Sequence, residues 1–206
     1  MTKALAFFGA FNPPTQAHLL LADHARTATG RESVIFVPSR SAYIRDDQGK
    51  DYAYQDDVRL EMLQAASKNR PWMQVTDWEM RQASQSRTYD TLCHLRREGI
   101  HAALLLGSDK LLELETGWLH VKEIAGEFGI VCLPRSEDDP ERWLREDPFL
   151  KEIAPWVQVI PSPMEMRHIS STKVRQLIRE IEEREATLKQ LVPPEIFEML
   201  RKDSNT

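Results

Sequence analysis

The chain has 206 residues, 41% hydrophobic and 29% charged, enough for one globular domain with a substantial core and too evenly mixed for disorder or a solenoid. A net charge of −5 at pH 7 excludes the diffuse cationic surface that grips duplex nucleic acid or an anionic membrane, so any anion has to be captured locally. Cys93 and Cys132 lack metal-ligand spacing and read as reduced thiols of a cytoplasmic protein, and the apolar run 4–8 is too short for a secretion signal or a membrane span.

In chain order, short runs of β-formers at 4–8, 34–37, 75–78, 102–106, 130–133 and 157–160 are expected as strands. Apolar residues at helical spacing lie between them: Leu19, Leu20, Ala22 and Ala25; Val58, Met62, Leu63 and Ala66; Leu92 and Leu95; Val174, Leu177, Ile178 and Ile181. This alternation predicts an α/β, Rossmann-like fold, a doubly wound and mostly parallel sheet with helices on both faces and its ligand site at the carboxyl ends of the strands. One domain, 1–206, is expected, in which 190–206 forms a small helical tail behind Pro193 and Pro194.

The first strand runs into Phe8-Gly9-Ala10-Phe11-Asn12-Pro13-Pro14-Thr15-Gln16-Ala17-His18. Gly9 permits close backbone approach, Asn12 and the prolines enforce a turn, and Thr15 can cap a helix that carries His18 in its first turn. There the imidazole can either hydrogen-bond a phosphate held at the helix N-terminus or simply cap and pack. The last strand leads to Met166-Arg167-His168-Ile169-Ser170-Ser171-Thr172-Lys173-Val174-Arg175. Ser and Thr at its start cap well, yet Lys173 and Arg175 put cations where the macrodipole disfavours them, so an anion is expected; the alternative is exposed cations tolerated at a cost of a few tenths of a kcal/mol, roughly. Two such helix starts together make a cradle for a polyphosphate.

Residues 9–18 resemble the (H/T)xGH motif, and 169–175 the ISSTxxR motif, of the nucleotidylyltransferase superfamily; the whole chain is similar to its nicotinamide/nicotinate mononucleotide adenylyltransferases. Ala42-Tyr43, residues 75–79, Leu106-Gly107-Ser108-Asp109, residues 128–132 and Leu191-Val192-Pro193 match that family in the same order. The resemblance implies in-line transfer of AMP from ATP to the mononucleotide with release of pyrophosphate, ATP arriving with Mg²⁺ and no metal ligands supplied by the protein. It implies His18 and Arg175 as catalytic residues. It further implies Gly9, Ala10, Phe11, Thr15, Gly107, Asp109, Ser171, Thr172, Lys173 and Val174 as ATP and phosphate contacts, Asp109 through ribose hydroxyls. On local grounds Asp109 serves equally as an N-cap.

Thr15 replaces the first histidine of the motif and Ala17 its glycine, which leaves the imidazole role to His18. A phosphate-binding lysine of the loop after the second strand has Arg45 nearest its place, with Arg40 and Lys50 as alternatives. For the pyridine half the resemblance implies Trp78, Trp118 and Arg135, and Ser86-Arg87-Thr88-Tyr89-Asp90-Thr91-Leu92 adds Thr88 through a segment of the bacterial branch. Echoes of both branches leave acid and amide substrates open. Partners are small molecules, with no nucleic acid or membrane, and family members are often homo-oligomers. A sister pantetheine-phosphate adenylyltransferase or cytidylyltransferase, or a non-catalytic nucleotide-binding module, are the competing readings.

Overall fold

The computed structural model describes residues 2–42, 54–135, 137–162, 171–178 and 181–203. The elements, in order, are β1 (Thr2–Gly9), α1 (Gln16–Ala28), β2 (Ser33–Pro38), α2 (Asp56–Ser67), β3 (Met73–Val75), α3 (Thr88–Arg97), β4 (Ile100–Gly107), α4 (Ser108–Leu111), α5 (Leu114–Gly117) and α6 (Val121–Phe128). They continue with β5 (Ile130–Leu133), α7 (Pro140–Glu146), α8 (Pro148–Ile153), β6 (Val157–Val159), α9 (Ser171–Ile178), α10 (Ile181–Leu191) and α11 (Pro194–Asp203). The strands form one sheet in the order β3-β2-β1-β4-β5-β6, and every neighbouring pair is parallel.

Side-chain alternation divides this sheet between two cores. Leu5, Val34, Phe36, Ala103, Leu105 and Val131 face α1, α2 and α9 to α11. Ala4, Ala6, Ile35, Val37, Leu104, Leu106 and Cys132 face α3 and α6 to α8. Winding outward from β1 in one direction and from β4 in the other places the helices on opposite faces and opens a crevice between the carboxyl ends of β1 and β4. The chain returns to the first face at its end, where Val192, Ile196, Phe197 and Leu200 are buried in the same core as Leu5 and Phe36.

The third strand departs from the expected 75–78, because it covers Met73–Val75. Arg81 N–H turns back to the carbonyls of Asp77 and Trp78, and Gln82 N–H to that of Glu79, which pulls Trp78 and Glu79 off the sheet edge into a turn. The paired helices α7 and α8 carry too few turns for apolar spacing to reveal them. Each starts at a proline behind a capping aspartate, Asp139 and Asp147, whose side chains accept from the N–H groups of Arg142 and Leu150.

Candidate active site

The loop leaving β1 is built on an aromatic cluster. Phe11 is almost fully buried and adopts φ +43°, unusual for a residue with a bulky side chain. Its ring packs edge-on against Phe7 at 5.4 Å and His18 at 5.2 Å. A Cβ on Gly9 would lie 3.2 Å from that ring, so the glycine is what lets the ring fold back over the end of β1. Buried Asn12 accepts the Tyr54 N–H on Oδ1 at 2.9 Å.

Thr15 is the N-cap of α1, and the cap is reciprocal. His18 N–H donates to Thr15 Oγ1 at 3.4 Å, while Thr15 N–H donates to His18 Nδ1 at 3.0 Å. A ring nitrogen that accepts a backbone N–H carries no proton itself, so the neutral imidazole holds its proton on Nε2. Burial, reinforced by the Arg135 guanidinium, lowers the His18 pKa to about 4, and the ring is therefore a neutral N–H donor at physiological pH.

At the exit of β4, a Cβ on Gly107 would fall 2.5 Å from Asp109 Oδ1 and 3.0 Å from Arg135 Nε. Those two groups form an ion pair at 3.1 Å that spans the exits of β4 and β5. Buried Ser108 ties the same exits together, donating to Asp138 Oδ2 at 2.6 Å and accepting from Arg135 N–H at 2.8 Å. The N-cap alternative for Asp109 does not hold, since Gly107 occupies the cap and Asp109 lies inside the short helix.

The first turn of α9 contains Thr172, Lys173 and Val174, whereas Arg175 lies in its last turn, where the macrodipole favours a cation, and not in the first turn expected from the sequence. Arg175 Nη1 donates to the Asn12 carbonyl at 2.6 Å and Nη2 to Thr172 Oγ1 at 3.1 Å. One guanidinium thus joins the second phosphate motif to the loop of the first. Val174 has its side chain fully in the core, which leaves only its backbone to face a ligand, while Thr172 and Lys173 are exposed. Ser171 begins the helix; Arg45, Lys50, Tyr43 and the segment 166–170 lie outside the described residues. Arg40 lies within them, its Nη1 donating to the Ala83 carbonyl at 2.9 Å.

On the other side of the crevice, Trp78 stacks on His94 of α3, with ring centroids 4.7 Å apart and planes 14° from parallel, so one indole face is covered. Thr88 opens α3 and is half-buried. Trp118 follows α5 and packs against the second core. Arg135 stands with Asp109, and its charge reaches His18. Three contributors were given no role of their own in the sequence. Glu79 is buried and accepts from Thr91 Oγ1 at 2.7 Å and from Gln85 Nε2 at 2.5 Å; burial, only partly offset by those bonds, raises its pKa to about 6. His94 backs Trp78, and Arg59 is fully buried. The one legible signal was Arg59, which shares the apolar stripe of Met62, Leu63 and Ala66. Among the described residues no cluster of three or more His, Cys, Asp or Glu is placed to hold a metal ion, and no helix is long and apolar enough to cross a membrane.

A crevice at the switch point of a parallel sheet, flanked by the starts of α1 and α9, is the layout of a nucleotide-handling α/β protein. Residues 6–177 match the model of the cytidylyltransferase-like family. A probable nicotinate-nucleotide adenylyltransferase of Clostridium acetobutylicum is 30% identical over 98% of both chains. A nicotinamide/nicotinic acid mononucleotide adenylyltransferase of Arabidopsis thaliana is 28% identical over 82% of this chain and 77% of its own. The chain belongs to the cytidylyltransferase-like family and, within it, to the nicotinate-nucleotide adenylyltransferases. The fold is shared with Plasmodium falciparum nicotinic acid mononucleotide adenylyltransferase complexed with NaAD, at a TM-score of 0.73, 19% identity, and 98% and 96% of the two chains covered.

Proposed function

We propose that this protein is a cytoplasmic adenylyltransferase that joins nicotinate or nicotinamide mononucleotide to the AMP moiety of ATP and releases pyrophosphate. The observation that carries the reading is the Arg175 to Asn12 hydrogen bond, which locks the two phosphate motifs onto one crevice. A mononucleotide 5′-phosphate is already ionised at neutral pH, so its oxygen attacks the α-phosphorus without a general base. The bond from that phosphorus to the bridging oxygen breaks, and pyrophosphate leaves in line.

Catalysis is then positioning and charge neutralisation. His18 Nε2–H donates to an α-phosphate oxygen, and the starts of α1 and α9, with Lys173 and Arg175, hold the leaving pyrophosphate. Mg²⁺ enters as part of the substrate, on the ATP oxygens. Gly107 leaves room for Asp109, whose carboxylate accepts the ribose hydroxyls of ATP beside Arg135. The indole face of Trp78 opposite His94 receives the electron-poor pyridine ring, with Thr88 and Trp118 completing that side.

The test is pyrophosphate release from MgATP with each mononucleotide in parallel, and phosphopantetheine as the control acceptor. Release with a pyridine mononucleotide supports the reading, and the ratio of kcat/KM values ranks acid against amide. Silence with both, or release with phosphopantetheine alone, moves the protein to a sister activity.

A further inference from the structure

The largest fully buried side chain among the described residues is a charged one, Arg59 of α2. Apolar side chains could fill this place among Met62, Leu63 and Ala66 without taking a cation out of water, and replacing a whole buried ion pair in that way often costs a protein nothing in stability. Burial lowers the Arg59 pKa despite Asp56 beside it. The reason for a guanidinium therefore has to lie in what its fork holds.

Its donors go to loops at the carboxyl end of the sheet. Nη1 donates to the Ala10 carbonyl at 2.6 Å and Nε to the Tyr54 carbonyl at 3.1 Å. Nη2 donates to the Ser39 carbonyl at 2.5 Å, to Ser41 Oγ at 3.3 Å and to Asp56 Oδ1 at 2.6 Å. That carboxylate oxygen is itself aimed by the Ser41 N–H at 2.6 Å and the Ser41 hydroxyl.

Each captured carbonyl fixes a peptide plane, and a plane fixed on one side is fixed on the other. The Ser39 carbonyl points at Arg59, so the Arg40 N–H of the same peptide points away, and it donates to Gln85 Oε1 at 3.2 Å. Gln85 in turn donates to Glu79, the neighbour of Trp78. In the other direction, Tyr54 gives its carbonyl to Arg59 and its N–H to Asn12, whose own carbonyl accepts from Arg175. One hydrogen-bonded path runs from the phosphate motif on α9, through Arg59, to the loop that carries Trp78.

We infer that Arg59 is a positioning residue that sets the phosphate loop of β1 in register with the pyridine-side loop after β3, touching neither substrate. The inference rests on the function proposed above for its kinetic consequence but not for its structural one. A displacement of about 1 Å between reacting groups costs roughly a hundredfold in rate, so register between the two half-sites matters to turnover.

The test is Arg59→Lys in the full chain, read by amide hydrogen exchange and by steady-state kinetics. Lysine keeps the charge but has no planar fork to serve carbonyls in three directions. The amides of Phe11, Asn12, Arg40 and Tyr54 should exchange about tenfold faster while those of β4 stay as in the wild type. kcat should fall by about tenfold or more, with KM raised for both substrates. Loop exchange unchanged, or a rise shared equally by β4, overturns the inference, as do kinetic constants within about twofold of wild type in an active enzyme. If the lysine variant does not fold, Asp56→Asn is read the same way, since it leaves Arg59 in place and removes the anion that aims Nη2. A wild-type protein without adenylyl transfer would sink the proposed function, and the exchange pattern would still decide the role of Arg59.

Discussion

Replacing His18 by glutamine takes away the rigidly placed ring N–H while leaving its surroundings in place. Glutamine at this position completes the same reciprocal cap, accepting the Thr15 N–H where the imidazole Nδ1 does, so α1 keeps its start. What disappears is the fixed N–H on the far side of a rigid ring whose near nitrogen is already engaged; the glutamine amide carries its N–H groups on a flexible stem, off that position. A preorganised donor to charge developing on a reacting oxygen contributes about 3 kcal/mol, which is roughly a hundredfold in kcat. Pyrophosphate release at saturating ATP and mononucleotide should show that fall, with a melting temperature within a few degrees of wild type, on the order of 1 kcal/mol of cap energy.

Acid adds a second readout. The folded pKa of about 4 lies below the ordinary 6.5, so the unfolded chain takes up its proton first. Stability should therefore decline as pH falls from 6.5 towards 4, and this part of the slope should vanish in the glutamine variant. A glutamine variant within about threefold of wild-type kcat would refute the donor role. An acid limb in the wild-type rate profile near the ordinary value of 6.5, lost on substitution, would refute the buried neutral imidazole.

Other substitutions separate the two halves of the crevice. Trp78→Ala should raise KM for the mononucleotide by roughly fivefold to tenfold, the value of about 1 kcal/mol of stacking, and leave KM for ATP nearly unchanged. Gly107→Ala drives a methyl against Asp109 and Arg135; both are flexible side-chain ends, so KM for ATP should rise about tenfold while the melting temperature barely moves. Equal effects on both substrates in either case would break that assignment. Glu79 has its pKa raised to about 6 by burial, so the stability it contributes is full below 4.5 and lost as pH rises through about 6. Urea midpoints at pH about 5 and about 7.5 should show Glu79→Gln gaining on wild type at the higher pH; a constant difference would contradict the burial argument.

Most of the sheet was legible from β-forming runs alone, because the middles of β2, β4 and β5 are buried on both faces and are filled by apolar residues. Thr15 and His18 were legible as a cap and a first-turn residue because capping is local, spanning one turn. The third strand was placed too late because Val75, Thr76 and Trp78 are all β-formers, and the turn after Thr76, which takes in Asp77, is what ends the ladder. Trp118 and Trp78 could be marked as aromatic, yet their surroundings, such as His94 behind Trp78, come from elements ten or more residues away.

What the sequence by itself determined was written in nearest neighbours and periodicity: alternating strands and helices, the Thr15 cap of the helix that carries His18, and the helix that opens at Ser171. What only the tertiary structure decided was how distant polar groups meet. Arg135 reaches Asp109, Arg175 reaches the Asn12 carbonyl, and Arg59 gathers carbonyls from residues 10, 39 and 54. Such pairings join chain segments brought side by side by strand order, and a hydrogen bond depends on distance and angle in space and leaves no periodic trace along the chain.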